Sequence, residues 1–176
     1  MHLVMGELIA MREELAAANQ NNAFAVNVPT MNLGCMRAGD NPNRICGHAA
    51  LQIDLRLLPG MDSEAIHEAL ERRISAVLAS TGVSLQLHKA YPPIPPFQSD
   101  PNGELLGALS GLSGNRPGTV AFGTEAHFMQ TLGMETVVWG PGSIDQAHQP
   151  NEYLDKAQLA PATDTLRRVI QKFCLV

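Results

Sequence analysis

A polar loop near the end of the chain holds the residue best suited to binding a metal. The loop runs from Gly140 to Tyr153, reads GPGSIDQAHQPNEY, and follows an apolar segment predicted to be a strand. Because ligands of open α/β sheets bind beyond the carboxyl ends of strands, His148 is a candidate site residue. A neutral imidazole there can ligate zinc. From local features alone, a polar loop whose histidine faces water is the more common arrangement.

A second candidate cluster lies where a predicted strand meets a predicted helix, at Gly123, Thr124 and Glu125. Backbone N–H groups at such a junction can hold an anion or a carboxylate. Alternatively, Gly123 only makes the turn and Thr124 only caps the helix. Local sequence leaves both interpretations open.

The third candidate set consists of Asn43, just before a segment of alternating residues, and Arg56 within that segment. Arg56 belongs to the polar face of that segment, and a guanidinium can bind a carboxylate through two parallel hydrogen bonds. The more ordinary interpretation is an exposed arginine paired with Asp54, two residues away on the same face.

Other patterns that resemble functional motifs carry no chemistry. Glu13-Glu14 and Arg72-Arg73 are interpreted as solvated helix faces. Ser143 lacks the G-x-S-x-G context of a serine hydrolase nucleophile. The chain also contains neither a GxGxxG motif nor a P-loop.

Composition narrows the class of protein. The chain has 176 residues, a formal net charge of −5 and no cluster of basic residues, which argues against a nucleic-acid partner. No apolar run approaches the ~20 residues of a membrane span, and no secretory signal opens the sequence. Three scattered cysteines without CxxC spacing indicate reduced thiols in a cytoplasmic protein.

The first part of the chain predicts helix, strand, strand, helix, strand. An apolar stripe marks a helix that starts at residue 1 without an N-cap. Residues 23–36 are predicted to be an extended segment interrupted by Pro29, and residues 44–58 a long strand. Asp62 is a predicted N-cap for a second helix, with Gly82 at its C′ position, and residues 83–88 alternate as a last strand. One more strand before residue 1 would complete the βαββαβ order of a ferredoxin-like domain. We therefore expect a chain that lacks an N-terminal part.

The second part of the chain begins after a stiff, proline-rich spacer at residues 92–96. We place a domain boundary there, which gives domains 1–97 and 98–176. A helix opened by Asp100-Pro101, short strands at 119–122 and 136–139, a short helix at 125–132 and a last helix follow. The last helix is predicted to direct Leu166, Ile170 and Phe173 inward. This βαβα rhythm predicts parallel strands, so the fold class is α/β, with an α+β first domain.

Four segments resemble one family of enzymes. They are NRICGHAALQIDLRLLPGM, YPPIPPF, FGTEAHFMQTL and GPGSIDQAHQPNEYL. They are similar to the zinc metallopeptidase family that includes acetylornithine deacetylases, succinyl-diaminopimelate desuccinylases and carboxypeptidase G, and most of all to its acetylornithine deacetylase branch. The segment ending in AHQPNEYL is the most specific of the four.

The resemblance implies a catalytic domain with two zinc ions per subunit, replaceable by cobalt, and a lid domain that forms a homodimer. Residues 1–97 match the lid without its first strand, and 98–176 match the last part of the catalytic domain. His148 matches a zinc ligand. Asn43, Arg56, Gly123, Thr124 and Glu125 match substrate-site positions, with Arg56 on the substrate's α-carboxylate. The implied reaction is hydrolysis of N2-acetyl-L-ornithine to L-ornithine and acetate in arginine biosynthesis.

This sequence departs from the family pattern in one important respect. None of its six histidines has an aspartate two residues later, so the H-x-D zinc motif is missing. We expect the general base and the other ligands upstream of residue 1, and we expect the chain alone to be inactive and to hold no zinc stably. Two alternatives stay open: a related N-acyl amino acid hydrolase such as a desuccinylase, and a non-catalytic ferredoxin-like dimerisation module.

Overall fold

The computed structural model of the protein describes residues 1–120 and 122–175, which form two compact units. The first unit contains residues 1–96 together with the described part of 119–123. The second contains residues 97–118 and 124–175. Each unit is described by itself below.

Two helices and a β-hairpin make up the first unit. They are α1 (His2–Ala18), β1 (Thr30–Ala38), β2 (Ala49–Arg56) and α2 (Ser63–Leu78). No side chain caps the start of α1, as its sequence predicts, and the helix ends where Asn19 Nδ2 donates to the Leu15 carbonyl at 2.9 Å. The mixed α/β fold class is confirmed.

Strands β1 and β2 pair antiparallel, with Thr30 opposite Arg56 and Ala38 opposite Ala49. A bulge at Gly34 interrupts the register between Leu33 and Cys35, so one extra residue stands on β1. The predicted alternation is confirmed along β2, where residues 51, 53 and 55 are half-buried and their neighbours 50, 52, 54 and 56 are exposed.

Both hairpin strands differ in extent from their predicted segments. The second was expected over 44–58 but begins only at Ala49, because residues 40–44 close on themselves as a turn. Arg44 N–H donates to the Asn41 carbonyl at 3.2 Å, and Ile45 is 98% exposed. The first strand starts after Pro29, whose ring cannot donate a ladder hydrogen bond.

The core of the first unit lies between the two helices and one face of the hairpin. Its buried members are Leu8, Met11, Met31, Ile66, Leu70 and Ile74. The residues alternating inward from β2 pack against this cluster, as does Met61 in front of α2. A face that is apolar at every second strand residue thus meets helices apolar at every third or fourth residue.

The start of α2 is as predicted and its end is not. Asp62 Oδ1 accepts hydrogen bonds from the N–H groups of Glu64 at 2.8 Å and Ala65 at 3.3 Å, so it is the N-cap. Gly82 is left-handed, with φ of 71°, but is not the C′ residue. The helix stops earlier because both the hydroxyl and the N–H of Thr81 donate to the Leu78 carbonyl, which closes the last turn.

Residues 83–88 do not form the predicted strand. Leu85 and Leu87 are half-buried against the core, while the residues between them are exposed, so the alternation exists in side-chain burial only. Neither β1 nor β2 pairs with this segment. A strand needs a neighbour for its N–H and C=O groups, and alternation alone does not supply one. Of the predicted helix, strand, strand, helix and strand, the described residues of the first unit form all but the last strand.

An ion cluster joins α1 to α2 and corrects the interpretation of two charged pairs. Arg73 contacts the carboxylate of Glu7 and, with Nη2, that of Glu14 at 3.0 Å. Glu14 and Arg73 therefore do not belong to independent solvated faces. The hydrogen bond from Arg73 lowers the pKa of the Glu14 carboxyl below its ordinary 4.5, and the two glutamates raise the pKa of Arg73.

We expect this ion cluster to make the first unit acid-sensitive. Since the folded-state pKa of Glu14 is depressed, its contribution is present above pH about 4.5 and is lost as pH falls through the folded-state value. Arg73→Met should lower the urea midpoint at pH 7, and the difference from wild type should shrink at pH 3. The neighbouring exposed residue provides a control, because Arg72→Met should have little effect at either pH. A difference unchanged at pH 3 would contradict the ionic interpretation.

The second unit is helical within the described residues. It contains α3 (Glu104–Ser113), α4 (Ala126–Thr131) and α5 (Leu159–Cys174), with 3₁₀ turns at Ile144–Gln146 and Lys156–Gln158. Helix α3 begins three residues after the predicted Asp100-Pro101 start, because Asp100 closes a turn with Asn102. The carboxylate of Glu135 then accepts from Leu105 N–H at 2.8 Å.

Two predicted short strands are also corrected. Residues 136–139 are not a strand, and neither are 119, 120 and 122; Ala121, in the same predicted strand, lies outside the described residues. Two short parallel strands cannot satisfy their backbone groups without further strands beside them. The apolar runs favour an extended backbone, but no neighbouring strand in the described residues pairs with them.

Helix α5 has a proline, Pro161, in its first turn but lacks the predicted inward face. Leu166, Ile170 and Phe173 are 40–52% exposed, whereas Ala162 and Thr165 are buried. The helix contacts α3, where Lys172 Nζ lies 3.0 Å from Glu104 Oε1. Packing on α3 therefore buries the side of α5 that carries its small residues. Across residues 1–120 and 122–175, no helix is both long enough and apolar enough to span a membrane.

Candidate functional site

Arg56 ends strand β2 on the exposed face of the hairpin. Its Nε donates to Asp54 Oδ2 at 2.9 Å, with side-chain exposures of 65% and 58%. The ion pair expected for an ordinary surface arginine is therefore formed. A surface pair of this kind contributes only about 0–1 kcal/mol.

Asn43 lies at the opposite end of the same hairpin. It belongs to the exposed turn between β1 and β2, where its N–H donates to Asn41 Oδ1 at 3.1 Å. Gly39 N–H donates to the His48 carbonyl, and the residues between them form a local turn. Within that turn Arg44 pairs with Asp40 at 2.9 Å. Arg56 is seven residues further along the strand than Ala49, or ~24 Å. One hairpin does not bring Asn43 and Arg56 together.

Gly123, Thr124 and Glu125 lie where the two units divide, with Gly123 in the first unit and Thr124 in the second. Gly123 does not have a left-handed backbone, and a Cβ there would meet the Ile94 methyl group at an ordinary 3.8 Å. Thr124 Oγ1 accepts from Ala126 N–H at 3.2 Å, but Thr124 stands one residue before the N-cap position of α4. Glu125 is the N-cap residue of α4 by position, but its side chain makes no capping hydrogen bond.

His148 lies exposed in the loop that joins the residues after 140 to α5. Its φ of 61° is left-handed, the only such value among the described non-glycine residues. The His148 N–H donates to Glu152 Oε2 at 3.2 Å. Further back in the loop, Gly142 N–H donates to Gln158 Oε1 at 2.6 Å. A non-glycine residue is held in this conformation only when its surroundings impose it, and Glu152 contributes to that restraint.

The described residues do not by themselves form a complete zinc site. Catalytic zinc takes three protein ligands, and no group of three or more His, Cys, Asp or Glu side chains is gathered within residues 1–120 and 122–175. An exposed imidazole on a restrained loop can supply one ligand. His148 is therefore a candidate for one ligand only, and nothing in the described part of the chain completes a coordination sphere around it.

Two residues that contact candidate site residues were not identified from the sequence. His127 is buried, and its Nδ1 lies 3.3 Å from the Thr124 carbonyl oxygen. Glu152 restrains His148 from four residues away. The only sequence signal for either is its spacing, three residues from Thr124 and four from His148, which many unrelated sequences share.

Comparison with known proteins places these residues in a family context. Residues 4–82 match the family model of the peptidase dimerisation domain. Over 174 residues the chain is 38% identical to the acetylornithine deacetylases of Edwardsiella ictaluri, Pectobacterium atrosepticum and Salmonella arizonae. The alignments cover 99% of this chain and 45% of each relative, so the chain spans about half the length of the curated relatives it matches. The comparisons thus show a match of residues 4–82 to the M20 peptidase dimerisation domain, in a chain similar over nearly its whole length to acetylornithine deacetylases.

Proposed function

We propose that this chain is part of a metal-dependent amidohydrolase that hydrolyses N2-acetyl-L-ornithine to L-ornithine and acetate, a step of arginine biosynthesis. The observation that carries the proposal is the 38% identity to acetylornithine deacetylases over 174 residues. In the reaction water adds to the acetyl carbonyl carbon and the bond to the α-nitrogen breaks. The α-amine leaves with a proton.

We further propose that residues 1–97 are a lid and dimerisation domain and that 98–176 belong to a catalytic domain. The match of residues 4–82 to a dimerisation domain supports the first assignment. The division into compact units after Pro96 supports the boundary. A cytoplasmic location is in keeping with three free thiols, at Cys35, Cys46 and Cys174. Neither nucleic acid nor a membrane has a place in this function.

The candidate residues receive distinct roles in this proposal. Arg56 binds the substrate's α-carboxylate, and Asn43, Gly123, Thr124 and Glu125 line the substrate site. His148 provides one ligand to a metal pair, which the family resemblance gives as zinc, replaceable by cobalt. When bound, such ions act as Lewis acids toward water and the carbonyl group. The remaining ligands and the general base would come from segments that the relatives contain and this chain does not match.

The hairpin geometry bears on how Asn43 and Arg56 can share one substrate. An extended N2-acetyl-ornithine spans on the order of 10 Å, well short of the ~24 Å along β2. A single subunit therefore cannot apply both side chains to one molecule. In a two-fold homodimer the same patch occurs twice, so Asn43 of one subunit can meet a substrate held by Arg56 of the other. We propose that the dimer builds each site from two subunits.

Mixed dimers test this arrangement. We expect Asn43→Ala and Arg56→Ala enzymes to be impaired as pure proteins and to recover activity when their subunits are exchanged by co-expression. Half of randomly formed dimers are mixed, and one of their two sites is intact, so activity should reach roughly a quarter of wild type. Sedimentation should show dimers throughout. If mixed dimers are shown to form but activity is not recovered, both residues act within one subunit.

Hydrolysis assays test the proposed function itself. We expect the 176-residue chain alone to release no acetate from N2-acetyl-L-ornithine with added zinc, since it offers one ligand where three are needed. A longer protein that contains this chain should do so. A preference of that protein for N2-succinyl substrates would favour a desuccinylase. Hydrolysis of neither class would leave a dimerisation module.

A further inference from the structure

His127 has an environment that its position on a short surface helix does not require. It is the second residue of α4, yet only 4% of it is exposed. Its Nδ1 lies 3.3 Å from the Thr124 carbonyl oxygen. Its Nε2 is buried and has no hydrogen-bond partner among the described residues. A side chain serving only as filler would be better replaced by an apolar one, because a buried polar atom without a partner is costly.

The contact with Thr124 fixes which ring nitrogen carries the proton. A carbonyl oxygen can only accept a hydrogen bond, so Nδ1 must donate. In the neutral imidazole the other nitrogen, Nε2, then has a lone pair and no hydrogen. The charged ring would instead bury a second N–H donor without an acceptor. The contact with Thr124 is thus a hydrogen bond only when the ring is protonated on Nδ1.

This hydrogen bond restrains the peptide that joins Thr124 to Glu125. The Thr124 hydroxyl oxygen already accepts from Ala126 N–H at 3.2 Å, so both oxygens of Thr124 are held from the side of α4. Because a trans peptide is planar, a carbonyl directed to His127 turns the Glu125 N–H to the opposite side. His127 thereby sets the direction of a backbone donor within the candidate substrate segment.

We propose that His127 is a positioning residue: its Nδ1–H holds the Thr124 carbonyl, and so orients the Thr124–Glu125 peptide for substrate binding. This inference rests on the proposed role of residues 123–125 and adds a residue to it. His127 does not touch the substrate. It acts through Thr124, so its loss should weaken substrate binding more than it slows the chemical step.

The tautomer provides a test that needs no substrate. Nitrogen-15 NMR of the chain should show the His127 ring protonated on Nδ1 and bare on Nε2 at neutral pH. A ring protonated on Nε2 would overturn the proposal, because Nδ1 could not then donate to the carbonyl.

Two substitutions separate positioning from filling in the complete enzyme. Asparagine places its Nδ2 donor where the histidine has Nδ1, whereas leucine fills the space and donates nothing. We expect His127→Asn to retain the wild-type KM, and His127→Leu to raise KM about five- to tenfold with a smaller change in kcat. If burial is what matters, the order reverses, and leucine is the milder change. That reversed order, or equal KM values, overturns the proposal.

The two levels of inference fail in different ways. If N2-acetyl-ornithine is not the substrate, the wild-type enzyme shows no turnover, but the Nδ1 tautomer persists. If only the role of His127 is wrong, the wild-type enzyme is active and the leucine variant binds substrate as well as the asparagine variant. Should the leucine variant fail to fold, the tautomer and the KM of His127→Asn still decide the matter. A raised KM in a folded His127→Asn enzyme counts against positioning.

Discussion

His148→Ala in the complete enzyme is expected to remove one of two bound metal ions and to lower activity by more than 100-fold. Replacing residues that merely support a metal ligand commonly costs about 10- to 100-fold, so loss of a ligand itself should exceed that range. Folding should be nearly unaffected, since the side chain is exposed. The left-handed backbone at this position also places no demand on an imidazole ring. Elemental analysis of the purified protein measures the metal, and acetate release measures the activity.

A second histidine provides the control for this experiment. His88 is also exposed, lies in the first unit and has no proposed role, so His88→Ala should leave metal content and activity unchanged. If the His148→Ala enzyme still returns two metal ions per subunit, the imidazole is an ordinary loop side chain. Residual activity near wild type would lead to the same conclusion.

Local patterns were sufficient to predict the elements that depend on their own side chains. The stripe around Leu8 and Met11 predicted α1, and Asp62 predicted the start of α2. The alternation along β2 predicted which face packs on the core. Each of these features is decided within a few residues of chain, by helix or strand periodicity and by capping.

Features that depend on distant partners could not be predicted in the same way. Residues 83–88 and 136–139 have strand-like composition, but no neighbouring strand in the described part of the chain pairs with them. The buried side of α5 depends on its packing against α3. The contacts of Arg73 with Glu7 and Glu14 join residues 66 and 59 positions apart, beyond the reach of any local pattern.

In the candidate site too, residue types could be predicted from the sequence, whereas their geometry could not. Motif similarity selected His148, but its left-handed backbone and the hydrogen bond from its N–H to Glu152 could not be read from the motif. The sequence identified Asn43 and Arg56 as neighbours in function, whereas the hairpin separates them by the length of β2. Residue types indicate what chemistry is available. The hairpin decides how far apart the side chains that carry it lie.

Arg56→Lys is the substitution for which a surface role and a substrate role predict the most different results. If Arg56 serves only the surface pair with Asp54, lysine keeps the charge and the change should be nearly silent, because such pairs contribute about 0–1 kcal/mol. If Arg56 binds the α-carboxylate, lysine loses the two-pronged geometry. A hydrogen bond to a charged group contributes about 1.5–3 kcal/mol, so kcat/KM should fall by about one to two orders of magnitude.

The same hairpin contains a matched control for this prediction. Arg44 is equally exposed and pairs with Asp40 at the same 2.9 Å, so Arg44→Lys should leave kcat/KM unchanged. Neither variant removes a core atom, and both should unfold at the wild-type urea concentration. The deciding measurement compares N2-acetyl-ornithine with an analogue whose α-carboxylate is an amide. Arg56→Lys should weaken the first and hardly affect the second, since the analogue offers no carboxylate to bind. An equal loss for both substrates would place Arg56 outside carboxylate recognition and leave the pair with Asp54 as its role.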